Sequence, residues 1–149
     1  MISQKAKYAL RALVALARAH GNDDTQLIAE IAEQQRIPRK FLEQILLELK
    51  HHGIVVSRRG KAGGYMLLRS PDMITFGEVM RIIDGPIAPL PCLSRIAYRR
   101  CEDCREEKSC EVRRVFARVA AATREVLDGT TIADCIGGLA NDEARVLTA

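Results

Sequence analysis

The chain has no tryptophan and few aromatic residues, 4% of its 149 positions. A core built from it is therefore aliphatic, and 48% hydrophobic residues supply enough material for one. No apolar run approaches the roughly 18 residues that a membrane span needs, so no membrane association is expected. The opening MISQKAKYALRAL has no uninterrupted apolar stretch and no small-residue cleavage site, and it reads as an amphipathic helix rather than a secretory leader. A cytoplasmic protein follows, in a compartment that keeps thiols reduced, and the odd count of five cysteines argues further against a disulfide framework. A Ser/His/Asp set and a Gly-rich phosphate loop are also missing. The three histidines, His20, His51 and His52, fall at expected helix ends, where capping or solvation is their ordinary role. These absences point away from an enzyme. The formal net charge of +4 is a mild basic bias that suits nucleic acid only weakly.

What the chain does have is helical periodicity in strong helix formers. Ser3 is placed to cap a first helix running to about His20, with Ala6, Leu10, Leu13, Val14 and Ala17 at helical spacing. GNDDT breaks it. A short helix follows with Leu27, Ile28, Ile31 and Ala32 on one side, then the tight connection QQRIP. Pro38 suits the first turn of a third helix to about His51, whose stripe is Phe41, Leu42, Ile45, Leu46 and Leu49, and Gly53 ends it. The period then changes. Residues 54–57 and 65–68 read as two strands around a basic tip, Arg58, Arg59 and Lys61 among Gly60, Gly63 and Gly64. Thr75 with Glu78 forms a capping box for another short helix. Beyond Cys110, Val112, Val115, Phe116, Val119, Ala122 and Val126 recur at three or four residues. Spacing alone leaves open whether that stripe folds back on its own domain or meets a second chain as a coiled-coil seam. Thr131 with Asp134 predicts a last short helix holding Cys135 as a buried small residue, followed by a frayed tail. The expected division is residues 1–85, a loop over 86–110, helices over 111–140 and a tail over 141–149.

Three helices, a tight turn and a basic hairpin describe a winged helix-turn-helix, a mainly α fold with a small β-hairpin wing. The amino end of the third helix would present Arg39, Lys40, Glu43 and Gln44 to base edges in a major groove. Arg and Lys donate to guanine or phosphate, Gln bridges an adenine edge, and Glu accepts from the cytosine amino group while repelling phosphates. The wing residues Arg58, Arg59, Gly60 and Lys61 suit phosphate or minor-groove contact. A plain helical bundle with a solvated basic tip is the alternative.

The stretch PCLSRIAYRRCEDCREEKSC packs four cysteines into twenty residues, with gaps of eight, two and five between Cys92, Cys101, Cys104 and Cys110. Four thiolates on one loop complete a tetrahedral set for zinc or ligate an iron–sulfur cluster, and spacing does not choose between them. Arg95, Arg99, Arg100 and Arg105 are placed to offset thiolate charge, although Glu102, Asp103, Glu106 and Glu107 interleave with them.

The segments KYALRAL, FLEQIL, VVSRRGKAGGYMLLRSPDMITFGEVMRIIDGPIAP and EVLDGTTIADC together resemble the Rrf-two family of bacterial regulators, and the likeness spans nearly the whole chain. The resemblance implies a homodimeric transcription factor that binds double-stranded, pseudo-palindromic DNA. It implies that the long C-terminal helix crosses to the partner through Val112, Val115, Phe116, Val119 and Val126. It further implies a 2Fe–2S or 4Fe–4S cluster in the loop, sensing redox state, iron or nitric oxide. Cys92, Cys104 and Cys110 match the family's three cysteines. Where relatives place a fourth ligand, this chain has Arg113 or Lys7, and Cys101 is the economical replacement. Lys40, Phe41, Glu43 and Gln44 match base-reading and supporting positions, and Arg59 matches the minor-groove position of the wing. A zinc-stapled or thiol-based regulator, or a protein-docking adaptor, stands as the alternative.

Overall fold

The computed structural model describes residues 2–21, 24–61 and 63–138. In chain order the elements are α1 (Gln4–Ala19), α2 (Ile28–Gln35), α3 (Arg39–His51), β1 (Val55–Arg58), β2 (Gly64–Leu67), α4 (Phe76–Asp84), α5 (Glu111–Gly129) and α6 (Ile132–Ile136), with single 3-10 turns at Pro71–Met73 and Pro91–Leu93. The fold is mainly helical with one antiparallel hairpin, as expected. The tail assigned to 141–149 lies outside the described residues.

α1 is the hub. Ser3 Oγ accepts the Ala6 amide at 3.0 Å and starts it. Its inner face alternates small and branched residues, and Ala6, Ala9, Ala12 and Leu13 are fully buried. The alanines let α2, α3, α4, α6 and β2 all pack close to one helix. At its start, the Ser3 amide donates to Asp84 at 3.0 Å and so ties it to the end of α4.

The turn between α2 and α3 is made by Arg36, which adopts a left-handed conformation at φ 51°. The Ile37 amide then reaches back to the Ala32 carbonyl at 2.9 Å, and the Ile37 side chain plugs the corner. Pro38 precedes α3 rather than sitting inside its first turn. Leu27 likewise precedes α2, and its side chain is half exposed instead of joining the stripe of Ile28 and Ile31. On α3, Leu42, Ile45, Leu46 and Leu49 are completely buried. Each such burial contributes roughly 1.5–3 kcal/mol, against about 0–1 kcal/mol for an exposed ion pair. The inner face therefore fixes α3, and its outer face is free for other work.

The hairpin pairs Val55 with Leu67, Val56 with Met66, Ser57 with Tyr65 and Arg58 with Gly64, each strand one residue from its predicted bounds. It has a third partner that periodicity does not reveal. Gln26 and Tyr65 exchange both backbone hydrogen bonds, at 2.9 and 2.8 Å, so the segment before α2 braces the wing. Gly64 makes this possible. Its φ is +146°, and a Cβ there would lie 2.5 Å from the Gln26 carbonyl oxygen.

Thr75 caps α4 through the Glu78 amide at 3.1 Å, but the box is half made, because the Glu78 carboxylate turns to Arg69 at 2.7 Å. The box at α6 is complete, with Thr131 and Asp134 each accepting from the other's amide. Cys135 is only half buried, because Ile132 takes the inward position of so short a helix.

Gly64→Ala is expected to lower stability by about 1–3 kcal/mol through strain at positive φ and the clash with Gln26. Gly60→Ala, at a tip with no neighbour within 4 Å, is expected to cost less, and chemical denaturation of both variants checks the order.

Candidate DNA-reading surface and thiol cavity

The exposed face of α3 carries Arg39, Lys40, Glu43 and Gln44 together, at the end of the helix nearest the turn. Arg39 Nε and Glu43 Oε1 lie 3.2 Å apart as an i,i+4 pair, so the acidic residue among the cations is also a positioner of one. Phe41 has a different role. It is half buried and meets Tyr8 edge to face at a centroid separation of 5.8 Å, which docks the start of α3 on α1.

Arg58, Arg59, Gly60 and Lys61 are all exposed on the wing. The wing is fixed relative to α3, because Lys50 Nζ donates to Ser57 Oγ at 2.6 Å. Between them runs a groove of about 360 Å3 lined by residues that include Arg39, Arg58, Ser57 and Ile28. Arg39 of α3 and Arg58 of the wing thus border one concavity. Gln26, Lys50 and Ser57 build this arrangement, and only a tertiary contact reveals them.

The cysteine segment wraps against the start of α5. Cys92 is buried in the turn Pro91–Leu93, the Cys104 amide donates to the Cys101 carbonyl at 3.1 Å and closes a small turn, and Cys110 caps α5, its Sγ accepting the Arg113 amide at 3.4 Å. Arg100 organises this loop by donating to the Cys104 and Arg105 carbonyls at 3.0 and 2.6 Å, and Tyr98 donates to Glu107. All four loop cysteines line one cavity of about 400 Å3. Partial desolvation, hydrogen bonding to Cys92 and the negative charge of Cys92, Asp103 and Cys104 push the Cys101 thiol up. Gathering thiolates here has an electrostatic cost that a cation must offset.

Of the arginines expected to supply that cation, Arg105 lines the cavity, Arg100 is committed to backbone carbonyls, and Arg95 faces elsewhere. Arg113 also lines it, and its buried Nε–H has no hydrogen-bond partner. An unpartnered buried guanidinium donor beside four soft thiols fits an anionic, thiolate-held group. The side chains as placed line the cavity rather than meet: among the described residues, no three Cys, His, Asp or Glu converge closely enough to hold a metal ion.

The stripe on α5 is open. Val112, Val115, Phe116, Val119 and Val126 are 39–63% exposed, while Ala120, about a quarter-turn round the helix from them, is buried. The chain's own domain therefore does not cover it.

Residues 2–138 match the Rrf2 family, described as an iron-dependent transcriptional regulator. The chain belongs to the Rrf2 family. An rrf2-like HTH-type transcriptional regulator of Rhodobacter capsulatus is 47% identical to it over 149 residues, covering 99% of each chain. The structure of CymR, the global cysteine regulator of B. subtilis, superposes with a TM-score of 0.77 at 35% identity over 92% of this chain and 96% of that one. IscR of T. potens gives a TM-score of 0.72 at 28% identity, over 92% and 86%. This Rrf2 protein is accordingly a DNA-binding transcriptional regulator with the winged-helix fold of its relatives. Among the described residues, no helix is long and apolar enough to cross a membrane.

Proposed function

We propose that this Rrf2 protein is a homodimeric regulator whose affinity for a pseudo-palindromic operator is controlled by an iron–sulfur cluster held by Cys92, Cys101, Cys104 and Cys110. The observation that carries the reading is the shared cavity of those four thiols with the unpartnered Arg113 Nε–H, set at the cap of α5. Bound there, a cluster supplies a centre whose charge and integrity respond to oxidants, iron supply or nitric oxide. The residues do the rest. Cys110 ties the loop to α5, the Arg81–Asp128 pair at 2.6 Å ties α5 to α4, and α4 packs on α1 and α3. A rearranged loop thus has a packed route to the reading helix. The likeness to IscR supports this reading by analogy only.

In the dimer, the valine face of α5 meets its copy, and the two reading heads address half-sites about one helical turn, or a multiple of it, apart. Arg39, Lys40, Glu43 and Gln44 read bases, Phe41 supports them, and Arg58, Arg59, Gly60 and Lys61 engage the backbone or minor groove. A second reading, thiol chemistry without a metal, draws on the adjacency of Cys92 and Cys101 and on the absence of a converged ligand set among the described residues.

Anaerobically purified protein is expected to be brown, with iron and sulfide on analysis and bleaching in air, and Cys101→Ala is expected to lose the colour. Colourless protein with one zinc per chain would make the thiols a structural knot. Metal-free protein with unchanged DNA binding in the alanine variant would exclude both metal readings.

Operator binding is expected to weaken steeply with salt. Arg59→Ala should lower affinity on every sequence, whereas Glu43→Ala should relax sequence preference, as it both removes an excluding charge and frees Arg39. Footprints unchanged in both would remove these residues from the reading surface.

Phe116→Glu with Val119→Glu is expected to give a folded monomer by light scattering, with operator affinity reduced at least tenfold. A dimer that persists would move the interface off this face of α5.

A further inference from the structure

We propose that the cavity between the cysteine loop, α4 and α5 is a binding site for a small oxyanion of the phosphate or sulfate class, held by Arg81, Arg95 and Arg124. This cavity shares no lining residue with the thiol cavity and lies apart from the reading surface, and the proposal does not depend on a cluster being present. Its volume of about 160 Å3 accepts one tetrahedral ion with a few waters, and it is too small for a nucleotide.

Its lining is unbalanced in charge. Three guanidinium groups face a single carboxylate, Asp128. Arg81 gives one terminal nitrogen to Asp128 at 2.6 Å and keeps its other donors. The Arg95 and Arg124 guanidinium groups make no hydrogen bond or ion pair with another described residue, although both line the concavity. Unpaired like charges in a concave site repel one another, and the site focuses their field on any anion that enters. Guanidinium presents several donors in a planar fork, a geometry suited to oxyanions. Ser94 Oγ accepts from the Ala97 amide at 3.0 Å, which leaves its hydroxyl hydrogen available to the same ion. The remaining wall, Pro86, Ile87 and the exposed Ile96, is apolar and offers no competing acceptor side chain.

The lining comes from three separate segments: the loop through Ser94 and Arg95, α4 through Arg81, and α5 through Arg124 and Asp128. An ion bound here would clamp the loop that carries Cys92 onto the α4–α5 junction. The site would then report anion supply to the segment from which the thiols project.

The test is isothermal titration of inorganic phosphate into the full-length, DNA-free protein, in chloride at constant ionic strength. Wild type is compared with Arg95→Gln, Arg124→Gln and, on the wing, Arg59→Gln. One saturable site per chain is expected, weakened about tenfold by each of Arg95→Gln and Arg124→Gln and unchanged in Arg59→Gln. Competition by sulfate but not by acetate would define the class as tetrahedral oxyanions, and competition by both would widen it to small oxyanions in general. No saturable heat in wild type would overturn the proposal. So would a loss confined to Arg59→Gln, which would put the ion on the reading surface. If Arg124→Gln lowers the melting temperature in chloride, Arg95→Gln, on an exposed loop, decides alone.

Discussion

Everything C-terminal to the wing depends on how α5 is seated on α4, and Gly77 leaves room for the ion pair at that seat. It lies in regular helix, so its role is space: a Cβ on it would fall 2.0 Å from Asp128 Oδ1 and 3.2 Å from a terminal nitrogen of Arg81. The bare backbone lets the Asp128 carboxylate settle against α4, where Arg81 closes on it. An ion pair that is a third or more exposed is worth too little to hold two helices. It does not act alone. The Phe76 amide donates to the Thr130 carbonyl at 3.0 Å and the Ile132 amide to the Ile74 carbonyl at 2.9 Å, and Ile132 is fully buried behind them. Two backbone bonds, one buried isoleucine and one tight contact thus fix the base of α5 to the reading half.

That anchoring explains why the valine face remains open. A 19-residue helix is about 28 Å long, and only the side bearing Ala120 is drawn against the domain. With its C-terminal end clamped, α5 cannot roll further to bury the valines beside Ala120. Its far end is capped by Cys110, so the helix spans from the thiol cavity to the α4 junction. On the proposed reading it works as a lever whose fulcrum is the junction tied by the Phe76–Thr130 and Ile132–Ile74 backbone bonds. The loop that would move it has few backbone hydrogen bonds beyond its own small turns, which places it at the pliable end of the structure.

Periodicity made the helices legible, because an aliphatic core leaves its imprint every three or four residues: Leu42, Ile45, Leu46 and Leu49 are all fully buried. The caps at Ser3, Thr75 and Thr131 were legible for the same local reason. Features made by partners distant in sequence were not. Nothing about Gln26 marks it as a strand partner of Tyr65, and nothing about Glu43 alone says that it orients Arg39. Arg36 is a different case: a non-glycine in the left-handed region is not signalled by residue type, and only the corner formed by Ile37 requires it. At the candidate site, the four cysteines that spacing along the loop groups together line one cavity. The cations could not be sorted the same way, since Arg95, Arg100 and Arg105 look alike in sequence and face three different surroundings.

The net charge of +4 hides that sorting. Three groups of cations stand in separate places: Arg39, Lys40, Arg58, Arg59 and Lys61 on α3 and the wing, Arg105 and Arg113 at the thiol cavity, and Arg81, Arg95 and Arg124 at the cavity beside α4 and α5. The thiol set is the most informative. The position at which relatives are expected to offer a neutral ligand here holds Arg113, and the loop carries an additional thiol, Cys101. Considered singly, one change removes a ligand and the other adds one. In the structure both residues line the same cavity, where Cys101 adds a potential negative charge and Arg113 brings a positive one with a buried, unpartnered N–H. Four thiolates carry one more negative charge than three thiolates and an imidazole, and burial makes that charge costly without a nearby cation. On the proposed reading the two departures are a single electrostatic exchange, in which an all-cysteine donor set is tenable because the displaced ligand position supplies the cation that balances it.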